Sequence, residues 1–139
     1  MTKRRVLVLC TGNSARSQMA EGLLRQDFGD RLEVTSAGTH PTEVRPQAIA
    51  VMREAGIDIS AQRSKHVDEF RSQAFDDVLT VCSEANERCP IFPGTGRRAH
   101  KSFDDPATAT GTEAERLAVF RRVRDELRTW LREMFAAAP

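Results

Sequence analysis

The chain has 139 residues, enough for about one ordinary domain and too few for two. Hydrophobic residues make up 40% and charged residues 29%, a globular composition that excludes disordered and fibrous classes. Lys and Arg total 21 against 20 Asp and Glu, so no broad field of one sign favours nucleic acid or an anionic membrane. We therefore expect neither partner, and any anion site must be local.

The chain has three cysteines, Cys10, Cys82 and Cys89. Because this number is odd, they cannot all be paired in internal disulfides. The apolar run Val6–Cys10 is shorter than the about 7–15 residues of a secretion signal. No stretch approaches the ~18 apolar residues of a membrane span. We expect a cytoplasmic protein with reduced thiols, in which paired cysteines are usually catalytic rather than structural.

The first half of the chain predicts two strand and helix pairs. Val6–Leu9 is continuously apolar, as in a strand buried on both faces of a parallel sheet. After a turn-rich segment, apolar residues within Met19–Phe28 recur at helical spacing. Leu32–Ser36 alternates like a second strand, and Arg45–Ala55 predicts a helix with Pro in its first turn and Gly beyond its end.

The second half is less regular until its last helix. Val67–Phe75 predicts a short helix, and Val78–Val81 a third buried strand that ends at Cys82. The Pro- and Gly-containing segment from Pro90 to Pro106 predicts a long loop with a short strand near Ala99–Ser102.

The final helix has the clearest signal. Thr112 and Glu115 match a capping box, and an apolar stripe follows at helical spacing. The stripe comprises Leu117, Phe120, Val123, Leu127, Trp130, Leu131 and Met134. Alternating strands and helices predict one α/β domain over residues 1–139. We expect an open parallel sheet of about four strands flanked by helices, with ligands beyond the carboxyl ends of the strands.

An anion site is predicted where the first strand passes into its helix. Backbone N–H groups of such a loop can converge on an oxyanion, and the Arg16 fork can hold two oxygens. We expect the helix dipole and Arg16 to lower the pKa of the Cys10 thiol, giving a nucleophilic thiolate that Ser17 can hydrogen-bond. Asn13 tolerates a left-handed turn. The predicted anion-binding residues are Thr11, Gly12, Asn13, Ser14, Ala15, Arg16 and Ser17.

The spacing of a Cys, five residues and an Arg also occurs from Cys82 to Arg88. That copy has no Gly to let an anion approach the backbone, and Glu84 and Glu87 would repel one. The context therefore favours Cys10 as the nucleophile. The alternative is that Cys10 is a small buried hydrophobe that completes a core strand.

The segment Val8–Ser17 resembles the low-molecular-weight protein tyrosine phosphatase superfamily, with similarity over nearly the whole chain. Asp105-Pro106 resembles the general-acid loop of that superfamily, whereas Ala15 stands where the phosphatases commonly carry a second Cys. The three cysteines, with residues 13–21 and 103–106, are similar to the thioredoxin-coupled arsenate reductases. This resemblance implies a low-molecular-weight phosphatase-like fold and the reduction of arsenate to arsenite in arsenic detoxification.

The resemblance also implies a role for each thiol and carboxylate. Cys10 would attack arsenate while Asp105 protonates the leaving oxygen, with Asp104 as a competing candidate. Reduction needs two electrons, so Cys82 would attack the Cys10–arsenic adduct, and Cys89 would then attack Cys82. The implied disulfides are Cys10–Cys82 followed by Cys82–Cys89.

The electrons would come from thioredoxin, and ultimately from NADPH through thioredoxin reductase, with no tightly bound cofactor. Phosphate and sulfate would mimic arsenate, and a monomer is expected. If Ser83–Arg88 is helical, the Cα atoms of Cys82 and Cys89 lie about 10.5 Å apart, beyond the ~7 Å that a disulfide tolerates. We therefore expect oxidation to disorder residues 83–89 and expose the disulfide.

No metal site is predicted. Some members of the resembled family bind potassium through side chains corresponding to Asn13, Glu21 and Ser36 and an acidic residue, but Lys65 stands at the acidic position. We expect its ammonium group to take the place of the cation. His40, His66 and His100 lie in polar, loop-like contexts without ligand spacing, so no catalytic histidine is expected.

Two other functions remain open at the level of sequence. The first is hydrolysis of phosphomonoesters or phosphotyrosine by Cys10, Arg16 and Asp105, with Cys82 and Cys89 idle or protective. The second is a non-catalytic oxyanion or redox sensor, which would bind arsenate or phosphate without turnover. Glutathione with glutaredoxin, or another small thiol, is an alternative reductant.

Overall fold

A computed structural model describes residues 3–83, 85, 89, 92 and 94–136. Its four-stranded parallel sheet has the order β2-β1-β3-β4. The strands are β1 (Arg4–Cys10), β2 (Leu32–Gly38), β3 (Asp77–Thr80) and β4 (Arg97–His100). The α-helices that are described over their whole length are α1 (Arg16–Phe28), α2 (Pro46–Glu54) and α3 (Glu113–Phe135), with short 3₁₀ turns at Val67–Phe70 and Pro106–Thr108. The predicted fold class is confirmed.

Strand β1 forms the centre of the core. Val6–Leu9 are fully buried because strands flank β1 on both sides and helices cover the sheet. Cys10 ends this strand, and α1 begins only six residues later, at Arg16. The order of the sheet places β2 and β3 on opposite sides of β1, so the chain diverges at its carboxyl end. Such a divergence leaves a crevice for a ligand.

Helix α3 closes the fold against α1 and α2. The Thr112 side chain accepts a hydrogen bond from the backbone N–H of Glu115, and the Glu115 carboxylate accepts one from the backbone N–H of Thr112, which confirms the capping box. The predicted stripe supplies the buried face of the helix. Its buried members are Phe120, Val123, Leu127 and Leu131, whereas Leu117, Trp130 and Met134 are partly buried. No helix in the described ranges combines the length and apolar character needed to cross a bilayer.

Two predicted elements differ from those observed. The helix expected over Val67–Phe75 is only a 3₁₀ turn, Val67–Phe70, which begins where the backbone N–H of Asp68 donates to His66 Nδ1. The strand expected at Ala99–Ser102 is Arg97–His100 instead. Pairing with β3 sets this register, and the guanidinium of Arg97 bonds to Asp77 on that strand. Pro90, where the predicted loop began, lies outside the described residues.

A buried carboxylate joins three strands at their amino-terminal ends. Asp77 on β3 is fully buried and accepts hydrogen bonds from Arg4 on β1 at 2.6 Å and from Arg97 on β4 at 2.7 Å. Both arginine side chains are partly exposed, so their charges stay partly hydrated. The desolvation of the buried carboxylate is thereby offset by two charged partners, whose own desolvation is only partial.

We expect Asp77→Asn to lower the free energy of unfolding by about 2–3 kcal/mol, because a charged acceptor between two guanidinium groups is lost. Urea denaturation followed by circular dichroism measures this change. Glu33→Gln is the matched control, since Glu33 forms an exposed ion pair with Arg5 and its loss should cost less than about 1 kcal/mol. Equal losses of unfolding free energy in the two variants would show that the ion pairs of Asp77 contribute no more to stability than an exposed ion pair.

Candidate active site

The loop between β1 and α1, residues 11–15, borders a cavity of about 290 Å³ at the carboxyl edge of the sheet. This is the crevice that the strand order creates. The cavity is lined by Cys10, Thr11, Gly12, Ser14, Ala15, Arg16, His40, Thr42, Arg45, Asp105 and Ala107. The structure therefore brings together the predicted nucleophile, most of the predicted anion loop and the predicted acid.

The carbonyl groups of the loop are held away from the cavity by an adjacent segment, residues 38–45, which we call the bracing segment. Three of its backbone N–H groups donate to loop carbonyls: His40 to Thr11 at 2.9 Å, Thr42 to Gly12 at 3.0 Å, and Arg45 to Ser14 at 2.9 Å. Gly38 allows this approach, because a Cβ atom there would lie 2.4 Å from the carbonyl oxygen of Thr11. With its carbonyls engaged, the loop is left with N–H groups for an anion.

Asn13 locks the loop from inside the protein. Its φ of 46° is in the left-handed region that the sequence predicts. Its carbonyl oxygen accepts from the Ser64 hydroxyl at 2.6 Å and from Gln18 Nε2 at 3.0 Å, and its side-chain oxygen accepts from the backbone N–H of Lys65 at 2.9 Å. Asn13 is fully buried, so it serves the loop's shape and does not line the cavity.

The thiol of Cys10 has a directed hydrogen-bond partner. Ser17 Oγ lies 2.8 Å from Cys10 Sγ and also accepts a hydrogen bond from Asn13 Nδ2 at 2.7 Å. Because the Asn13 amide can only donate at that nitrogen, the Ser17 hydroxyl proton is free to point at the sulfur. This arrangement stabilises the thiolate.

Burial nevertheless raises the pKa of the Cys10 thiol above its usual value, and the hydrogen bond from Ser17 and the charge of Arg16 only oppose this increase. The prediction of a lowered pKa is therefore wrong. Cys10 is only 2% exposed, so removing the thiolate from water outweighs the nearby guanidinium and hydroxyl.

Arg16 and Asp105 face each other across the cavity. Arg16 Nη1 donates to the carbonyl of Phe103 at 3.2 Å, and Nη2 lies 3.7 Å from Asp105 Oδ2. Asp105 Oδ1 accepts from the backbone N–H of Ala107, which fixes the carboxylate at the start of the 3₁₀ turn. The competing residue, Asp104, is 74% exposed and pairs with Arg122, so it faces away.

Cys82 lies beside the same loop. Parallel pairing sets Leu9 opposite Thr80, so β3 delivers Cys82 to the edge where β1 delivers Cys10. Cys82 Sγ is 3.2 Å from Thr11 Oγ1 and accepts from the backbone N–H of Ala85 at 3.4 Å. Cys82 is buried and Cys89 is partly buried, and all three cysteines are free thiols.

The segment between Cys82 and Cys89 is described only in part. Ser83 and Ala85 have helical backbone geometry, whereas residues 84 and 86–88 of the predicted helix lie outside the described residues. Burial raises the pKa of the Cys89 thiol, and the charge of Arg98 opposes this. The predicted opening of residues 83–89 on oxidation stays a prediction.

Lys65 occupies the position next to Glu21. Its Nζ lies 3.7 Å from Glu21 Oε1 and donates to the carbonyl of Arg63 at 3.0 Å, while Ser36 Oγ donates to the same carboxylate oxygen at 2.7 Å. Burial lowers the pKa of Lys65, and Glu21 opposes this. The ammonium thus sits in the polar network where the sequence places it. Within the described ranges, no three His, Cys, Asp or Glu side chains cluster as a metal site would require.

Sequence reasoning missed one wall of the cavity. His40, Thr42 and Arg45 line it, although the sequence suggested no site role for any of them. The available signal was their position after β2, because segments at the carboxyl ends of adjacent parallel strands meet at one edge.

Comparison with known proteins identifies the family. The model of the low molecular weight phosphotyrosine protein phosphatases matches residues 5–138. The chain belongs to this family. It is 47% identical to an arsenate reductase of Bacillus subtilis (strain 168) over 133 residues, covering 96% of each chain.

Two solved structures extend the comparison. An arsenate reductase in the phosphate binding state superposes on this family member with a TM-score of 0.85 at 32% identity, covering 98% of this chain and 99% of that chain. The thioredoxin-dependent arsenate reductase of Corynebacterium glutamicum gives a TM-score of 0.69 at 25% identity, covering 97% of this chain and 63% of that chain.

We expect Ser17→Ala to move the pH profile of Cys10 alkylation to higher pH, because the hydrogen bond that lowers the thiol pKa is lost. At a fixed pH below the thiol pKa, the thiolate fraction and the alkylation rate both fall. Iodoacetamide labelling between pH 6 and 10, quantified at the Cys10 peptide by mass spectrometry, measures the shift. Ser60→Ala, on an exposed residue remote from the thiol, should leave the profile in place. An unchanged profile in Ser17→Ala would show that the hydroxyl does not stabilise the thiolate.

Proposed function

We propose that this family member reduces arsenate to arsenite through a relay from Cys10 to Cys82 to Cys89. The observation that carries the proposal is the second thiol: Cys82 Sγ lies 3.2 Å from the hydroxyl of Thr11, the residue that follows the nucleophile. Hydrolysis of a phosphate ester needs no second thiol, whereas reduction requires one. Relatives across nearly the full chain are arsenate reductases, which supports the same substrate.

In the first step, arsenate binds between the loop N–H groups and the Arg16 fork, and the Cys10 thiolate attacks arsenic. An S–As bond forms and an As–O bond breaks. Asp105, protonated at Oδ2, gives its proton to the departing oxygen, which leaves as water. Arg16 Nη2 lies 3.7 Å from Asp105 Oδ2, so the incoming oxyanion must compete with that carboxyl group for the guanidinium.

In the second step, the Cys82 thiolate attacks Cys10 Sγ. The S–S bond forms as the S–As bond breaks, and its electron pair goes to arsenic, which leaves as arsenite. Arsenic is thereby reduced by two electrons and the two thiols are oxidised to the Cys10–Cys82 disulfide. The proximity of Cys82 to the loop gives this attack a short path.

In the third step, Cys89 attacks Cys82 Sγ and releases Cys10 as a thiolate, ready for another arsenate. The Cys82–Cys89 disulfide is then reduced by thioredoxin, which draws electrons from NADPH through thioredoxin reductase. The thioredoxin dependence of the Corynebacterium relative supports this reductant. We also propose that the relay works in a reducing cytoplasm, as a monomer, with no tightly bound cofactor.

A second candidate function is phosphomonoester hydrolysis. It is favoured by the cavity itself, where Cys10, Arg16 and Asp105 stand together without any contribution from Cys82 or Cys89. Phosphate and arsenate are tetrahedral oxyanions of nearly equal size, so binding separates them poorly. The two functions therefore differ in the fate of the Cys10 adduct, which either water or Cys82 resolves.

We expect Cys82→Ser and Cys89→Ser each to abolish arsenate-dependent NADPH oxidation in the presence of thioredoxin and thioredoxin reductase. Hydrolysis of an aryl phosphate should persist in both variants. Mass spectrometry after one arsenate turnover should find Cys82–Cys89 in the wild type, Cys10–Cys82 in Cys89→Ser, and neither disulfide in Cys82→Ser.

Cys10→Ser is the control for the chemistry, because it should lose both activities. Turnover with arsenate in Cys82→Ser would refute the relay. Aryl phosphate hydrolysis with no arsenite from any thiol donor would favour the phosphatase. Binding of phosphate without turnover of either substrate would instead indicate the sensor.

We expect Asp105→Asn to slow the step that forms the Cys10 adduct by about 10²–10⁴-fold, the usual contribution of a general acid. Single-turnover formation of arsenite, monitored by rapid quench, measures that loss. Asp104→Asn is the matched control, since that carboxylate pairs with Arg122 outside the cavity. A larger loss in Asp104→Asn would reverse the assignment.

A further inference from the structure

The ionisable groups of the cavity pose a problem for an anionic substrate. The attacking Cys10 thiolate carries one negative charge, which equals the single positive charge of Arg16. Arg16 is further occupied by the Phe103 carbonyl and by Asp105. An oxyanion with one to two negative charges would therefore enter a cavity whose catalytic groups supply no net positive charge.

Arg45 is placed to correct this balance. It lines the same cavity as Asp105, at the last residue before α2. Its backbone N–H donates to the Ser14 carbonyl at 2.9 Å, which fastens it to the anion loop itself. Its side chain is exposed, and no carboxylate in the described part of the chain forms an ion pair with it.

The neighbouring acidic residue does not cancel this charge. Glu43 lies with Arg45 along an adjacent hollow but does not line the cavity of Cys10, and no ion pair joins the two among the described residues. His40 and Thr42 complete the wall with polar side chains. The described lining holds no Phe, Tyr or Trp side chain, which an aryl ester would favour as a packing partner.

We infer that Arg45 is a second anion-binding residue, whose guanidinium closes over the solvent-facing oxygens of the oxyanion that Arg16 and the loop hold from below. The inference rests on the proposed function and narrows its substrate to small, fully charged inorganic oxyanions. Arg45 supplies a positive charge beyond that of Arg16, so it acts on binding and leaves the thiol chemistry to Cys10 and Cys82.

We expect Arg45→Gln to raise the concentration of inorganic phosphate that half-protects Cys10 from iodoacetamide by about three- to tenfold at low salt. Phosphate is the probe because it occupies the site without oxidising the thiols. The loss should shrink as salt is raised toward 0.5 M, because an exposed guanidinium is screened. The KM for arsenate should rise in parallel while kcat stays near the wild-type value.

Arg53→Gln is the matched control, because Arg53 is an exposed arginine on α2 that lies outside the cavity. It should change neither the protection constant nor its salt dependence. Arg45→Lys keeps the charge and should retain most of the phosphate affinity. The melting temperature should be equal in all variants, since the bracing hydrogen bond uses backbone atoms. Protection is expressed relative to each variant's own alkylation rate without phosphate, so a change in thiol reactivity does not enter the constant.

Protection constants for Arg45→Gln within twofold of the wild type at low salt would overturn the inference, as would an equal loss in Arg53→Gln. If Arg45→Gln fails to fold, Arg45→Met decides by the same measurement, because it also removes the charge while keeping a long side chain. Phosphate protection does not depend on turnover. A protein that forms no arsenite but shows the predicted protection would refute the proposed function and leave the role of Arg45 standing.

Discussion

The hydrogen bonds that turn the carbonyl groups of residues 11–14 away from the cavity are the constraint on which the site depends. A short loop between a strand and a helix has as many acceptors as donors, and an anion tolerates only the donors. The bracing segment and the side chains of Gln18 and Ser64 take up the acceptors from outside. Gly38 permits this contact, so a residue on β2 determines the polarity of a loop that follows β1.

The same packing has two opposing effects on the pKa of the Cys10 thiol. Enclosing the loop on all sides buries Cys10, and burial raises the thiol pKa. A buried chain of hydrogen bonds opposes this effect, running from Glu21 through Ser36 and Asn13 to Ser17 and the sulfur. Each member satisfies its neighbour, so the polar chain can lie in the core without orphaned groups. The Lys65 ammonium and Arg25 balance the charge of Glu21 at its far end.

Parallel pairing of β1 with β3 places a second thiol beside the loop that follows Cys10. The register that sets Leu9 opposite Thr80 brings Cys82 to the level of the loop, where it contacts Thr11. On the opposite side, the pairing of β1 with β2 brings the bracing segment and Arg45. The central strand thus lies between the strand that precedes Cys82 and the strand that precedes Arg45. The residues proposed for reduction and for anion binding therefore come from opposite sides of β1.

The sequence by itself determined the fold class, the order of most elements and the position of the loop for which we predict anion binding. Those features depend on local rules: Val6–Leu9 is too apolar for an exposed strand, Thr112 and Glu115 cap a helix in place, and glycine, hydroxyls and Arg16 beside a helix start suit an anion. The strand predicted near Ala99–Ser102 is displaced by two residues from β4. The register of β4 depends on its pairing with β3, where Arg97 bonds to Asp77, a residue 20 positions earlier in the chain.

Only the tertiary structure decided which acid faces the cavity, in which direction the pKa of Cys10 shifts, and that Arg45 lines the cavity. Asp104 and Asp105 are adjacent in sequence, and only their partners, Arg122 and Arg16, separate them. The pKa depends on how much water the surrounding elements exclude, a sum over distant residues that no local pattern contains. Arg45 reaches the site because β2 lies beside β1, so its role follows from the packing of strands.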